Sequence, residues 1–479
     1  MEDYLFYGLL LGYLLNLLFI PQALLTRKRH PTATVAWVLA LFVLPYIATL
    51  LFLVFGINRV QRRAVHKFQS TQQIAARLPS LGPYEVGQTE NTNKFSEQQR
   101  RLITLATKVT GNEPTVGNSI ELLSDTNQTF GLIEQAILSA KESLHLEYYI
   151  WQPDRTGTKL RDLLIEKANA GVKVRFLYDG FGSFNLSHKF LQPVYDSGIE
   201  IAAFLPGATF RERWSINLRN HRKIVIVDGN VGFTGGMNIG DEYLGKNPHI
   251  GFWRDTHLKM TGPAVRQMQQ TFAEDWFYAA GEELTDESLF PEPDTSGPYT
   301  AQVIPGGPDG QFDAMHSVMF EVINDARHQI TLATSYFIPP PSMVTALESA
   351  AHRGVKVRLM LAGKAEYHAT VLAGRSYYGT LLKAGIEIYE YDKGLMHSKT
   401  LTVDDDIAFV GSPNFDSRSL LLNFELGVFV FSSQFVELLQ QDFERDREAA
   451  IQIEKKSWAK RSVWSRLGES VFRLFAPAW

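Results

Sequence analysis

Asn220-His-Arg-Lys-Ile-Val-Ile-Val-Asp-Gly-Asn-Val-Gly-Phe-Thr-Gly-Gly-Met-Asn238 and Met396-His-Ser-Lys-Thr-Leu-Thr-Val-Asp-Asp-Asp-Ile-Ala-Phe-Val-Gly-Ser-Pro-Asn414 share one spacing. In both, His-x-Lys is followed by four residues, Asp, six residues, Gly, then Gly or Ser, one residue and Asn. On an extended chain, side chains two residues apart point to the same side. His221 with Lys223, and His397 with Lys399, therefore each enter one site together. The β-branched runs continue a strand, and Asp228-Gly-Asn and Asp404-Asp-Asp supply the turn. Gly236 with Asn238, and Ser412 with Asn414, then return beside the histidines. A single copy would be weak evidence for a site; two copies in register are strong evidence.

The chain around these stretches is also duplicated. Ala170-Gly-Val-Lys-Val-Arg-Phe-Leu returns as Arg353-Gly-Val-Lys-Val-Arg-Leu-Met, and Ser197-Gly-Ile-Glu-Ile returns as Ala384-Gly-Ile-Glu-Ile. Each GVKVR run follows a helical stretch, at 160–170 and 343–353, which itself follows a strand, at 144–150 and 330–338. Strand, helix, glycine stop and strand make a βαβ unit. The Pro-rich stretch 290–298 separates the copies. The expected fold class is therefore α/β, with two tandem domains over 116–290 and 299–456 related by pseudo-two-fold symmetry.

Upstream, Tyr4 to Ile20 has Asn16 as its only strongly polar residue and runs on through Pro21 to Leu25, and Ala33 to Ile57 contains no charge. Both runs reach the ~20 residues a membrane helix requires. Residues 1–58 read as a transmembrane helical hairpin, against a re-entrant or interfacial first segment. The first run lacks a basic leader and a clear cleavage site, which counts against a signal peptide. Arg59, Arg62, Arg63 and Lys67 on the body side face Arg27, Lys28 and Arg29 in the turn, a narrow lean toward a cytoplasmic body. Residues 59–115 are polar and read as a linker and juxtamembrane segment with one short helix. At helical spacing, the tail 457–479 aligns Trp464, Leu467, Val471, Leu474 and Phe475 beside Lys460, Arg461, Arg466 and Arg473. That tail fits an amphipathic helix lying on anionic lipid, or one packed on the protein itself.

Composition narrows the remaining classes. The 479 residues carry 47 Lys+Arg against 51 Asp+Glu, a net charge of −4, which argues against a protein held to nucleic acid by charge. With no cysteine, disulfides, thiolate metal sites and a cysteine nucleophile are ruled out.

The doubled His-x-Lys-x4-Asp motif resembles the phospholipase D superfamily. Within it, the apolar N-terminus, FWRDTHLKMTGPAV and GSPNFDSRSLLLNFE resemble the bacterial cardiolipin synthase family. The resemblance implies two phospholipase D-like domains and a multi-pass protein of the bacterial inner membrane. The implied substrate is phosphatidylglycerol: one molecule donates its phosphatidyl group and releases glycerol, and a second attacks the phosphohistidine through its primary hydroxyl. His221, Lys223, Asp228, His397, Lys399 and Asp404 make the implied catalytic set. By analogy His221 is the nucleophile and His397 the acid/base, although the two motifs are too symmetric to assign these roles themselves. Lys223, Lys399, Asn238, Asn414, Gly236 and Ser412 are expected around the phosphate oxygens. The family places a carboxylate after each motif to orient a histidine; Glu425 and Asp255 occupy those places. For Asp228 and Asp404, at strand ends, a turn or salt-bridge role reads better than direct catalysis. No carboxylate-rich ligand cluster accompanies the set, so neither metal nor other cofactor is expected.

Overall fold

The computed structural model describes residues 2–25, 31–44, 46–53, 59–85, 94–205, 218–248, 250–310, 312–364 and 368–474. The apolar N-terminus forms α1 (Glu2–Leu25), α2 (Pro31–Val43) and α3 (Ile47–Leu51). Asn16 is buried against the second segment. Its amide donates to the Leu41 and Leu44 carbonyls and accepts from Thr49 Oγ1. Only α1, over Phe6–Leu25, is long and apolar enough to cross a bilayer among the described residues. The 13-residue α2 covers about 20 Å, short of the ~30 Å hydrocarbon layer. α3 follows it within the same apolar segment, so among the described residues no single helix runs the length of 33–57. Pro45, the basic turn at 27–29 and residues 54–58 lie outside the described residues.

Next come α4 (Arg59–Ala75) and α5 (Glu97–Thr110). The first repeat comprises β1 (Thr115–Leu123), α6 (Thr126–Ser139), β2 (Ser143–Tyr148), α7 (Arg155–Asn169), β3 (Lys173–Asp179), α8 (His188–Asp196), β4 (Glu200–Phe204), β5 (Ile224–Val227), β6 (Val231–Gly235), β7 (Phe252–Arg254), β8 (His257–Thr261) and α9 (Pro263–Ala280). The second comprises β9 (Tyr299–Gly306), α10 (Ala314–Asn324), β10 (Gln329–Thr334), β11 (Phe337–Ile338), α11 (Pro341–His352), β12 (Lys356–Ala362), α12 (His368–Arg375), α13 (Tyr378–Ala384), β13 (Glu387–Tyr391), β14 (Gly394–Met396), β15 (Thr400–Val403), β16 (Ile407–Gly411), β17 (Phe415–Asp416), α14 (Ser417–Leu421), β18 (Glu425–Val430), α15 (Ser433–Glu448) and β19 (Ala450–Gln452). The chain then runs through α16 (Lys455–Ala459) and α17 (Val463–Leu474).

Local chemistry sets many of these boundaries. Asp125, Asp154 and Ser187 cap α6, α7 and α8, each accepting from the backbone N–H three residues on. After α7 and α11 the chain reverses at Gly171 and Gly354, whose φ of 94° and 93° suits a residue without Cβ. The two GVKVR runs emerge as β3 and β12, each parallel to the strand before its helix.

Both repeats join one 15-stranded sheet. Its order is β4-β3-β2-β5-β6-β8-β1, then β9-β18-β16-β15-β10-β12-β13, with β19 at the far edge. The second set is the first in reverse, so the pseudo-two-fold axis passes through the antiparallel β1–β9 seam. In the central cluster, Ile224, Leu258 and Phe272 of the first repeat share one apolar core with Val410, Phe424 and Leu426 of the second. The two repeats are therefore physically continuous.

The expected linker over 59–115 is instead built into the body. Lys67 of α4 is buried 3.0 Å from Asp275 of α9. On α5, Ser96 and Gln99 form a reciprocal capping box, and Leu102 and Ala106 enter the core beneath α10. Gln98 and Gln99 are buried and reach the carbonyls of Asp325 and Asp406. At the other end, α17 packs against α12, with Arg473 over Tyr377 and Glu469 paired to Arg461. Its other face leaves Trp464 at 80% and Leu474 at 78% exposure, with Val463, Leu467 and Val471 alongside. One stripe thus packs on the protein while the apolar stripe faces outward. Phe475 lies outside the described residues.

Candidate active site

Both His-x-Lys pairs lie in extended segments just before β5 and β15, a step earlier than the strands themselves. What holds those segments is the opposite repeat. His221 N–H donates to the Phe424 carbonyl at 2.8 Å, and Phe424 N–H donates to the Arg219 carbonyl at 2.8 Å. Symmetrically, β14 pairs with β7, and His397 N–H donates to the Arg254 carbonyl at 2.6 Å. The residue after the acceptor of each histidine N–H is a carboxylate. Glu425 Oε2 lies 2.9 Å from His221 Nδ1, and Asp255 Oδ2 lies 2.7 Å from His397 Nδ1. Each repeat thus supplies the carboxylate for the other repeat's histidine. With both Nδ1 atoms engaged, Nε2 is the nitrogen left for chemistry on each ring.

The lysines fold back beside their histidines. Lys223 Nζ donates to the His221 carbonyl at 2.7 Å; Lys399 Nζ donates to the His397 carbonyl and, at 3.1 Å, to Ser335 Oγ. Ser335 Oγ in turn donates to Asn414 Oδ1 at 3.3 Å. In the first repeat, Asn238 Oδ1 accepts from Ile150 N–H at 3.2 Å, and its amide donates to the Tyr243 hydroxyl at 3.3 Å. Aromatic rings wall the imidazoles, with Tyr149 4.9 Å from His221 and Trp253 4.9 Å from His397.

Burial dominates the electrostatics. It pulls both imidazoles down to about 4, against the opposing pull of Glu425 and Asp255. It also lowers Lys223 to about 7 and Lys399 to about 8. Burial opposes charge on Asp255, yet His397 and Lys399 hold its carboxyl at about 2. Near neutral pH the site therefore holds two neutral imidazoles, two ionised carboxylates and two lysines that readily give up a proton. A phosphodiester anion entering it would restore charge to the lysines and to an imidazole.

Two residues grouped with the site lie at turns away from it, and two more contact its carboxylates. Asp228 accepts from the backbone N–H groups of Lys141, Glu142 and Ser143, and Asp404 from those of Arg327, His328 and Gln329. Both have a φ of 50°, and both tie the start of β2 or β10 to a turn, so a place among catalytic groups is corrected to a structural one. Ser412 and Gly236, expected near phosphate, serve the carboxylates instead. Ser412 Oγ donates to Glu425 Oε2, whereas a Cβ on Gly236 would sit 2.1 Å from Asp255 Oδ1. Motif reading missed Ser335, and for Tyr149, at a strand end, it left lining the pocket and packing in the core both open. Their one available signal was position, since each directly follows a parallel strand, β10 or β2.

A family model described as "Cardiolipin synthase, PLD-like domain" matches residues 133–276 and 319–447, and one described as "Phospholipase_D-nuclease N-terminal" matches 14–56. The chain is 38% identical over 454 residues to cardiolipin synthase 2 of Bacillus cereus, covering 94% of this chain and 88% of that one. It is also 38% identical over 472 residues to the cardiolipin synthase of Alkalihalophilus pseudofirmus, covering 97% and 92%. Among solved structures, the phosphatidylserine synthase of Haemophilus influenzae aligns with a TM-score of 0.60 at 15% identity, covering 80% of this chain and 98% of that one, a likeness of fold. With both repeats, the doubled histidine–lysine site and nearly the whole length accounted for, the chain belongs to the cardiolipin synthase family of phospholipase D-like enzymes.

Proposed function

We propose that this membrane-associated phosphatidyltransferase joins two phosphatidylglycerol molecules into cardiolipin and releases glycerol. The observation that carries this reading is the pair of imidazoles, each turned by a carboxylate from the other repeat so that its Nε2 remains available. His221 Nε2 attacks the phosphorus of the first lipid, and the bond to its glycerol oxygen breaks. His397, protonated once the phosphodiester anion sits beside it, gives its proton to that oxygen. The neutral His397 then takes the proton of the second lipid's primary hydroxyl as that oxygen attacks phosphorus and His221 leaves. Lys223, Lys399, Asn238 and Asn414 hold the nonbridging oxygens as charge builds. The phosphoester bond is exchanged rather than spent, so the overall transfer balances without a nucleotide.

Three features support a membrane setting: α1, the apolar face of α17, and the cationic residues Lys455, Lys456, Lys460 and Arg466 near it. The multi-pass arrangement and cytoplasmic body remain part of this proposal.

Purified enzyme given phosphatidylglycerol alone tests the reading. Equal amounts of cardiolipin and glycerol are expected, and phosphatidic acid as sole lipid product would make the protein a hydrolase. His221→Ala and His397→Ala should each lower turnover by at least ~10³-fold, with the radiolabelled phosphoenzyme lost in His221→Ala.

A further inference from the structure

Joining two phosphatidylglycerols places two phosphates in the site, and the histidine–lysine–asparagine set accounts for only the one that reacts. In the acceptor lipid, five single bonds separate the attacking oxygen from its own phosphorus, a reach of about 6 Å when extended. A place for that second anion should therefore lie roughly one side chain beyond the reacting histidines.

Tyr149 occupies that interval. Its ring is 4.9 Å from the His221 ring, and Lys223 Nζ lies 5.5 Å from its centroid. Two guanidinium groups, Arg219 from the first repeat and Arg418 from the second, bear on its hydroxyl. Both arginines belong to the crossing that delivers Glu425 to His221. The Arg219 carbonyl accepts from Phe424 N–H, and the Arg418 carbonyl accepts from Leu422 and Asn423 N–H, all at 2.8 Å. The Arg219 guanidinium stacks over Phe181 at 3.6 Å and donates to the Leu218 carbonyl at 3.0 Å; it makes no ion pair among the described residues, although the residue is only 7% exposed. The carboxylates near them are engaged by backbone. Asp179 accepts from Phe181, Gly182 and Asn220 N–H, and Asp416 accepts from Ser419 N–H. Burial and the neighbouring Arg219 loosen the proton on Arg418, against the opposing pull of Asp416 and Asp179. Holding two like charges together in a buried place costs free energy, which an anion would recover.

Resting on the transfer reading above, we propose that Arg219 and Arg418 form the subsite for the acceptor lipid's phosphodiester, with Tyr149 separating it from the reacting phosphate. The subsite selects an anionic lipid alcohol over water or a neutral alcohol. It adds affinity for the second substrate without entering the formation of the phosphohistidine.

The experiment uses the full-length enzyme in detergent, with phosphatidylglycerol as donor and 1-butanol supplied as a neutral competing acceptor. In Arg418→Gln and Arg219→Gln, cardiolipin formation should fall on the order of 10–100-fold, while phosphatidylbutanol formation stays within about threefold of wild type. Arg418→Lys should recover part of the cardiolipin rate, because the charge persists while the planar fork is lost. Equal losses of both products at an unchanged melting temperature would overturn the subsite, as would undiminished cardiolipin formation in both Gln variants. Because Arg418 is only partly buried, its variants carry the test if Arg219→Gln does not fold. A wild-type enzyme that made phosphatidylbutanol but no cardiolipin would remove the transfer reading and the subsite together. A wild type that made both, with variants unchanged, would remove the subsite alone.

Discussion

Gly236 and Ser412 hold equivalent places in the two repeats, and the difference between them matches the length of the carboxylate each one meets. Ser412 donates to the longer Glu425; Gly236 leaves room for the shorter Asp255. Gly236→Ser should push Asp255 off His397 and lower kcat by roughly 10²-fold, the scale of an ångström-sized misplacement, with little change in KM. Steady-state kinetics on phosphatidylglycerol would show it. The lysines make a second expectation. Both are charged below their lowered values of about 7 and about 8, and the imidazoles are neutral above about 4. Accordingly kcat/KM should be level between those limits and fall as pH rises through 7–8, where the phosphate loses its cationic partners. A profile flat to about pH 10, the ordinary lysine range, would contradict phosphate binding by Lys223 and Lys399. His-x-Lys was legible because period-two geometry is local. The exchange of carboxylates was not, because Glu425 and Asp255 reach the opposite histidines only through strand pairing between repeats.

Among elements, α4 shows why polar composition misled. Its Lys67 and Ser70 are buried, and Lys67 pairs with Asp275, which also binds Arg222, the residue between His221 and Lys223. Arg222 further donates to the carbonyls of Glu425 and Gly306, at 3.1 and 3.2 Å. The buried face of α4 sets Lys67 and Ser70 between Ala64 and Ile74, so half of what seats the helix is polar and reads as surface in the sequence. Lys67→Met should cost about 2 kcal/mol, less than the ~3–5 of an abandoned buried charge, because Arg222 still compensates Asp275. Differential scanning calorimetry would register this as a lower Tm. In α17 the opposite holds: its apolar spacing was plain, yet spacing could not say which stripe the body would take. Phe472 and Glu469 meet the body, while the Trp464 stripe stays outside.

For the whole molecule, internal repetition announced two α/β units, and the structure fuses them into one sheet through β1 and β9. Repetition in sequence carries no information about which edges meet, so the shared core had no local signature. Sidedness is open to a direct measurement because the chain contains no cysteine. Single cysteines introduced at exposed Lys141 and at Lys28 should react with a membrane-impermeant maleimide from the same face if the chain crosses once through α1, and from opposite faces in a two-span hairpin. A third, at Asp3, separates these, reacting on Lys141's side only in the hairpin.

The crossed carboxylates also bear on the order in which the chain is made. A ribosome delivers His221 well before Glu425, and among the described residues Glu425 is the partner on its Nδ1. Until the second repeat has joined the seam, the nascent chain holds its proposed nucleophile without the group that orients it. On the transfer reading proposed above, the enzyme would stay disarmed during its own synthesis.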